Sequence, residues 1–340
     1  MTTLISNNNK DFLNELFSIQ NEDSIKRLDN RSINEYRQIS INNITSGLNS
    51  PIQVCLGNTQ IISQINSKLV QPKQNYPNEG IISFQVDTHH LKPNADYNSS
   101  NESLNEFRIS ISTILEKCLK ESHALDTNIL CVIPGKIVWK IIVDICIIRN
   151  DGNAFDAVVI AALASWLSYR IPFFRLKDNE LYYNSFINLT TIHMSVCVSY
   201  GIYIKKNKTE KVFFMLDNTL EEENVMNGNI SICANIFGEI SYLGMNTEAL
   251  IDLDEMQELM GSVEDNVSKI HSIIKKFVEK ENKRIDEIIR TMKLREKKEE
   301  DENKIEEKVN KNNDNIDKIK KMMEIEENKE IKINILDYKN

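Results

Sequence analysis

Apolar residues recur along the first half of the chain with two different periods. Residues 52–69 alternate apolar and polar and are rich in Ile and Val, which is typical of a strand. Residues 103–122 repeat apolar positions every three or four residues, which predicts an amphipathic helix. A loop with two prolines and a glycine at 71–80, a strand at 81–89 and a polar loop at 92–102 are predicted between them. The pattern therefore predicts both strands and helices.

The second half repeats this alternation of elements. Residues 129–135 and 138–148 predict two neighbouring strands, and an apolar helix follows at 153–168. A polar linker is expected at 175–185, before a second set of strands. That set comprises 193–204, 211–216, 230–237 and 239–245. The fold class we expect is a mixed α/β (α+β) body.

The two ends of the chain have patterns of their own. Residues 10–22 place Phe12, Leu13, Leu16 and Phe17 at helical spacing. At the other end, a helix is predicted from near Asp252, with an apolar period through 263–295. Beyond about residue 296 the apolar positions thin out, which fits either a solvated helix or disorder. We expect an N-terminal extension, two body domains and a charged, helical, partly disordered tail, over 1–26, 27–172, 186–262 and 263–340.

Charge is distributed unevenly along the chain. Residues 264–340 contain 20 basic and 20 acidic side chains, so the net charge of −9 belongs to the first 263 residues. An acidic body argues against a free-standing nucleic-acid binder, although a local basic patch could join an RNA path shared with neighbouring subunits. The longest apolar segment, Ala157–Leu167, is far short of the ~20 residues of a membrane helix, and the first residues lack a secretory pattern. We expect a soluble, intracellular protein.

Neither cysteine nor histidine spacing indicates a metal site. The six cysteines are scattered singly, which favours buried free thiols over disulfides or zinc ligands. His89 and His90 would point to opposite faces of a strand, so loop or edge positions are the better interpretation. The acidic run 216–225, with Asp217 and Glu221–Glu223, is the best candidate for metal-binding carboxylates, and a solvated turn is the alternative.

The stretch RNDGNAFDAVVIAALASWL (149–167) leads from a glycine-containing turn directly into an apolar helix. The first N–H groups of such a helix lack internal partners and form a ready anion site. Here Phe155 and Asp156 stand at the entrance. No Walker, GxSxG, GxGxxG or HExxH motif accompanies them.

Six segments, in this order, resemble the RNase PH-like ring subunits of the RNA exosome, and most closely their non-catalytic branch. The resemblance implies an RNase PH-like fold of two βαβ-type halves. It also implies a hexameric ring with other RNase PH-like subunits and cap subunits, RNA in a shared channel, no cofactor, and a location in nucleus, nucleolus and cytoplasm. The segments are RLDNRSINEYR (27–37), PNEG (77–80), LEKCLKES (115–122), LDTNILCVIPGKIVW (125–139), DGNAFDAVVIAALAS (151–165) and LDNTLEEENVMNG (216–228).

The resemblance also gives expectations for single residues. Phosphorolytic members place an Arg and a hydroxyl where this chain has Phe155 and Asp156, and a catalytic Asp where it has Val225. Phe cannot bind an oxyanion, and an Asp at the first helical turn would repel one. Lys117 and Lys120 are the candidates for RNA phosphate contact, with a solvated helix end as the alternative. Where the family has the turn Asp-Gly-Arg, this chain has Asn30 in place of the Gly, and Asn tolerates a positive φ.

Three functions follow from these observations. The leading one is a non-catalytic structural subunit that supports 3′→5′ RNA processing and degradation, including rRNA maturation and mRNA turnover. The alternative is an active phosphate-dependent 3′→5′ exoribonuclease that uses Glu221–Glu223 in place of the missing Asp. In the third, the charged tail docks a nuclease or another cofactor protein.

Overall fold

The computed structural model describes residues 7–19, 27–91, 99–177, 180–205, 211–247 and 249–336. Its first sheet has the strand order β1-β2-β3-β6-β4, with β5 paired to β6. In this sheet only the β4–β6 pair is parallel. Helix α2 (Ser99–Leu115) connects β4 to the β5–β6 hairpin, so this half of the body contains a βαβ crossover. The strands are β1 (Ile39–Asn43), β2 (Ile52–Leu56), β3 (Thr59–Val70), β4 (Ile81–Asp87), β5 (Cys131–Ile133) and β6 (Ile137–Arg149).

The stretch predicted as one strand at 52–69 is a hairpin. Strand β2 pairs antiparallel with β3, and Leu56 faces Thr59 across the turn. Gly57 makes the turn with a φ of 55°, which a residue with a side chain adopts only at a cost. The apolar alternation continues through both strands, so it gives no sign that the chain reverses direction at Gly57.

The second sheet has the order β10-β9-β11-β12, and all of its pairs are antiparallel. Because β10 and β11 both pair with β9, which lies between them, they run parallel to each other. The short helix α4 (Leu220–Glu223) connects β10 to β11, which makes this half a second βαβ-type unit. The strands are β9 (Val196–Lys205), β10 (Lys211–Leu216), β11 (Gly228–Ala234) and β12 (Ile240–Thr247).

Helix α3 (Ala154–Ser168) packs against strands of both sheets and unites them in one hydrophobic core. Most of its side chains are buried on every face, as expected of a central helix. Helix α2 (Ser99–Leu115) continues into a π-helical turn at Glu116–Glu121 and packs against β4 and α3. The predicted fold class, with strands and helices in this order, is confirmed.

Two predicted connecting segments also differ from the structure. The linker expected at 175–185 is part of an antiparallel hairpin of β7 (Arg170–Lys177) and β8 (Glu180–Asn188). The charged residues at the strand ends, Lys177 and Glu180, suggested a linker, but both strands also contain aromatic, strand-forming residues. The loop expected at 92–102 also ends early, since α2 begins at Ser99; residues 92–98 lie outside the described residues.

Helices at both ends complete the chain. Helix α1 (Asn7–Ile19) buries Leu13 and Phe17 against Tyr203 and Met215, whereas Phe12 is 54% exposed. Helix α5 is continuous over Leu253–Leu336. No helix in the described ranges is both long and apolar enough to cross a membrane.

The chain forms two compact units, residues 1–282 and 283–340. The first unit extends past the boundary expected at 262, because the apolar stripe of α5 contributes to the body core. The buried residues of that stripe are Leu259, Val263, Val267, Ile270 and Ile274. In the second unit, α5 continues as a helix to Leu336.

Candidate functional site: the entrance of helix α3

The turn before α3 has a left-handed backbone. Gly152 has a φ of 88° and Asn153, the residue that caps the helix, has a φ of 52°. A Cβ atom on Gly152 would lie 2.4 Å from the carbonyl oxygen of Asn218. Arg37 Nη2 and the hydroxyl of Thr59 donate to the Gly152 carbonyl at 3.0 and 2.8 Å. The position of the helix entrance is therefore fixed by close packing and by buried donors.

A carboxylate of the protein itself occupies this entrance. The backbone N–H of Asn153 donates to Glu223 Oε1 at 2.7 Å. Burial raises the pKa of Glu223, although the Asn153 bond and the nearby Arg37 act in the opposite direction. An N–H at the point where a phosphate would approach is therefore already paired with an internal acceptor.

Asp156 differs from expectation in where its carboxylate points. It is completely buried and accepts hydrogen bonds from Tyr36 Oη and from Asn153 Nδ2, each at 2.8 Å. Ser199 donates to it through both its N–H, at 3.1 Å, and its hydroxyl, at 2.8 Å. Burial raises the Asp156 pKa to about 6, and the four hydrogen bonds limit the rise. The carboxylate therefore ties α3 to β9 and does not face an incoming anion.

A cleft of about 530 Å³ opens beside the entrance. Among the described residues that line it there is no Lys, Arg or His, and Glu223 is its one ionisable carboxylate. The Phe155 ring lines the cleft, with its centroid 6.2 Å from that of Phe107. Amide side chains provide most of the remaining polar lining: Asn150, Asn153, Asn218, Asn227, Asn229 and Asn246.

Asp217 connects the entrance to the N-terminal arginines. Its carboxylate is buried and lies 2.8 Å from Arg37 Nη2 and 3.1 Å from Arg31 Nη1. Asn153 Nδ2 also donates to it, at 2.8 Å. Burial would raise the Asp217 pKa, but the bonds and charge of Arg37 outweigh that effect and lower it. Asp217 is therefore an ionised anchor between the β10–α4 turn and the chain before β1.

The three neighbouring glutamates do not form a joint metal site. Glu222 is buried and pairs with Arg27 at 2.5 Å, and it also closes a capping box with Thr219. Glu221 and Glu223 are both exposed, but Glu223 also accepts from the Asn153 N–H at the helix entrance. Each carboxylate therefore faces a different environment. The solvated-turn alternative fits Glu221, and it fits Glu223 only in part.

The other predicted site residues lie apart from the cleft. Val225 is half-buried and packs with the α1 cluster of Leu13, Phe17, Tyr203 and Met215. Lys117 Nζ lies 5.5 Å from the Tyr242 ring centroid, and Lys120 Nζ lies 3.9 Å from Glu116. Neither lysine nor Val225 is among the described residues that line the entrance cleft.

Some residues that shape the site could be anticipated and others could not. Asn30 has the predicted positive φ, 63°, and its N–H bonds to the Arg27 carbonyl, so the expectation that this turn is preserved is confirmed. Tyr36 and Ser199, which hold Asp156, are 120 and 43 residues from it in sequence. No local pattern points to either residue.

The comparisons with known proteins first establish the fold. An archaeal exosome core chain superimposes with a TM-score of 0.61, at 22% identity, over 79% of this chain and 96% of that one. A chain of the Archaeoglobus fulgidus exosome with RNA bound to the active site gives the same TM-score, at 21% identity, over 78% and 96%. Residues 35–172 match the 3′ exoribonuclease family, domain 1. The chain has an RNase PH-like fold.

Its sequence relatives are exosome components. The exosome complex component RRP45 of Danio rerio is 30% identical over 263 residues, which are 76% of this chain and 64% of that protein. Human RRP45 is 29% identical over 76% of this chain and 58% of its own length. The Rrp42 component of Methanothermobacter thermautotrophicus is 29% identical over 72% and 88%. The chain thus spans about three fifths of the RRP45 proteins it matches.

Proposed function

We propose that the chain is a non-catalytic structural subunit of an exosome ring. In this role it supports 3′→5′ RNA processing and degradation and contributes to the RNA channel, while other subunits supply the chemistry. Its partners are other RNase PH-like subunits, cap subunits and the RNA in the channel, in the nucleus, nucleolus and cytoplasm. The family match and the similarity to named exosome components support this assignment.

The observation that carries the non-catalytic part is the Glu223 carboxylate at the α3 entrance. Phosphorolysis requires an inorganic phosphate held by cations or backbone donors next to the RNA end. Here Glu223 accepts from the Asn153 N–H at 2.7 Å, and Phe155 lines the cleft beside it. A phosphate at this position would meet a carboxylate and an aromatic ring. Neither group can stabilise its charge.

The edge of the second sheet supports the assembly part of the proposal. Strand β12 is at the end of the sheet order, and Ile240, Leu243 and Met245 on it are each about half exposed. Phe237, in the turn before this strand, is 78% exposed. An apolar sheet edge of this kind is normally covered by a partner, because it otherwise promotes aggregation.

The alternative, an active phosphate-dependent exoribonuclease, needs Glu221–Glu223 to act as catalytic carboxylates. The geometry does not favour it, since Glu222 pairs with Arg27 inside the protein and Glu223 bonds to Asn153. Glu221 and Glu223 are exposed, and Glu222 is buried. Exposed carboxylates without a phosphate-binding cation are not sufficient for this chemistry.

An activity assay distinguishes the two functions. The purified chain is incubated with single-stranded RNA, inorganic phosphate and Mg²⁺, and nucleoside diphosphates are measured. We expect none above a no-enzyme control, and the same result for a Glu221→Gln variant. Sustained release of nucleoside diphosphates that is lost in Glu221→Gln would establish the exoribonuclease and overturn the proposal.

Lys117 and Lys120 stay our candidates for RNA contact within the assembled ring. The ammonium group of Lys117 over Tyr242 and that of Lys120 near Glu116 are both at the protein surface. We expect a ring assembled with the Lys117→Gln/Lys120→Gln variant to bind RNA with a weaker salt dependence. The slope of log affinity against log salt concentration should fall in magnitude by about one for each lost phosphate contact. Lys136→Gln, at the exposed β5–β6 turn, is the matched control. An unchanged slope in the double variant would remove both residues from the RNA path.

A further inference from the structure

Three different metal-ligating side chains meet at the carboxyl end of strand β4. One ligand atom each from Asp87, His90 and Cys146 lies within 4.8 Å of the other two. Asp87 and His90 are exposed and Cys146 is half-buried. The site at the α3 entrance described above does not use any of the three, and none of them lines its cleft.

The fold brings these residues together through the one parallel strand pair of the first sheet. Asp87 is the last residue of β4, and its Cα is paired with that of Cys146 on β6. The chain then makes a single helical turn, His89–Leu91, which carries His90 back towards the strand ends. Asp87 Oδ1 accepts from the His89 N–H at 2.8 Å and holds this turn in place. The cluster is therefore built on a sheet edge and a capped turn.

We propose that Asp87, His90 and Cys146 bind a divalent transition metal ion, with Zn²⁺ as the best-matched ion. A thiolate, an imidazole and a carboxylate together form a borderline-soft donor set, which suits Zn²⁺ and not Mg²⁺ or Ca²⁺. Ligand atoms of a tetrahedral zinc site are about 3.3–3.7 Å apart, given bond lengths of about 2.0–2.3 Å. Small side-chain rotations close the remaining gap, since two of the three residues are exposed.

The cleft beside the cluster determines what kind of zinc site this is. Asp87 and Cys146 line a depression of about 920 Å³ between α2 and the sheet, together with Arg108 and Ser112. Three protein ligands next to open space leave the fourth coordination position to water or to an anionic group. Arg108 lines the depression together with Glu116 and Asp144, so the lining does not favour an anion over water at that position. The site is therefore an open one, unlike the closed four-ligand sites that serve structure alone.

Direct metal binding tests the proposal. The full chain, purified without a histidine tag, is titrated with Co²⁺, and thiolate-to-cobalt charge transfer is followed in the near ultraviolet. Zn²⁺ is then added in competition with a chromophoric chelator, to give affinity and stoichiometry. We expect one site per chain, with the Co²⁺ signal displaced by Zn²⁺.

Matched variants identify the ligands. Cys146→Ser should abolish the charge-transfer band, and Asp87→Asn and His90→Gln should each weaken Zn²⁺ binding by more than about 10–100-fold, which is the cost of losing an outer-shell partner alone. Cys55→Ser, at a half-buried cysteine on β2, is the control, and His89→Gln tests the competing histidine, whose Nε2 lies 3.8 Å from Asp87 Oδ1. Both should bind like the parent chain.

Two outcomes would overturn the assignment. One is a parent chain without a charge-transfer band and without Zn²⁺ binding above that of the Asp87→Asn/His90→Gln/Cys146→Ser variant. The other is a band or affinity that depends on His89 or Cys55 as much as on His90 or Cys146. Circular dichroism of each variant establishes that it is folded, so that a loss of binding reports the ligand and not the fold.

Discussion

Replacing Asp217 with Asn removes one buried negative charge and turns one of its two acceptor oxygens into an NH₂ donor. The Asp217 backbone is left-handed, with a φ of 49°, and Asn is among the few residues that tolerate this conformation. The two side chains also have nearly the same shape. The substitution therefore removes the ion pairs with Arg37 and Arg31, and in the shorter one, with Arg37, the side chains are 0% and 8% exposed.

The expected loss of unfolding free energy depends on the hydrogen-bond partners that Arg37 keeps in the variant. Breaking a buried ion pair costs about 3–5 kcal/mol, because the remaining charge stays buried without compensation. Arg37 still donates to the carbonyls of Asp151 and Gly152 and lies 3.9 Å from the Asp151 carboxylate. We therefore expect Asp217→Asn to lower the free energy of unfolding by about 3–4 kcal/mol at neutral pH, the lower part of that range.

Urea unfolding as a function of pH measures this loss. The folded-state pKa of Asp217 is lowered, so its contribution is present above the unfolded value of about 3.9 and disappears as the pH falls through the folded value. The difference between parent and variant should accordingly shrink below about pH 4. Asp252→Asn, at an exposed position, should stay within about 0.5 kcal/mol of the parent. A difference under about 1 kcal/mol at neutral pH would refute the ion-pair argument.

Asp156, whose folded pKa is raised to about 6, should show the opposite pH dependence: its contribution to stability falls by about 2 kcal/mol between pH 4 and 7. Asp156→Asn, followed by urea unfolding at both pH values, should therefore lack this decline; an equal decline in both proteins would contradict it. Gly152→Ala should cost clearly more unfolding free energy than Gly135→Ala, because both glycines have a positive φ but only Gly152 has atoms within 4 Å of an added Cβ. Equal losses for the two would show that the close approach at Gly152 is unimportant. Phe17→Ala should destabilise by about 3–5 kcal/mol in thermal or urea unfolding, and Phe12→Ala by little, because Phe17 is 2% and Phe12 54% exposed. Similar effects of the two would contradict the packing of α1.

Most of the fold could be predicted because its elements have strong local signals. Strands β9 and β10 and helix α3 are long apolar stretches with clear ends, and the structure has each of them close to the predicted position. The β7–β8 hairpin was not predicted, because its turn is polar enough to resemble a linker. The Gly57 turn was not predicted either, because alternation carries through it. In both hairpins the chain reverses direction without a clear local signal in the sequence.

Sequence reasoning reached only part of the candidate site, and distance along the chain explains why. Phe155 lies at the helix start and could be identified from its position alone. Glu223, which bonds to Asn153, is 70 residues further along, and Asp87 and Cys146 are paired only through the parallel register of β4 and β6. Such contacts depend on the tertiary fold. Local periodicity carries no information about them.

Phe155 and Glu223 contribute differently to the proposed loss of catalysis. Changing Phe155 alone to Arg would add a cation, yet the Glu223 carboxylate would stay 2.7 Å from the Asn153 N–H and compete with any phosphate for that donor. The new Arg would also find Glu223 as a ready partner in the same cleft. A phosphate site at this entrance therefore requires a change at both positions. On this reasoning the inactive state that we propose rests on two independent features, of which the sequence alone revealed one.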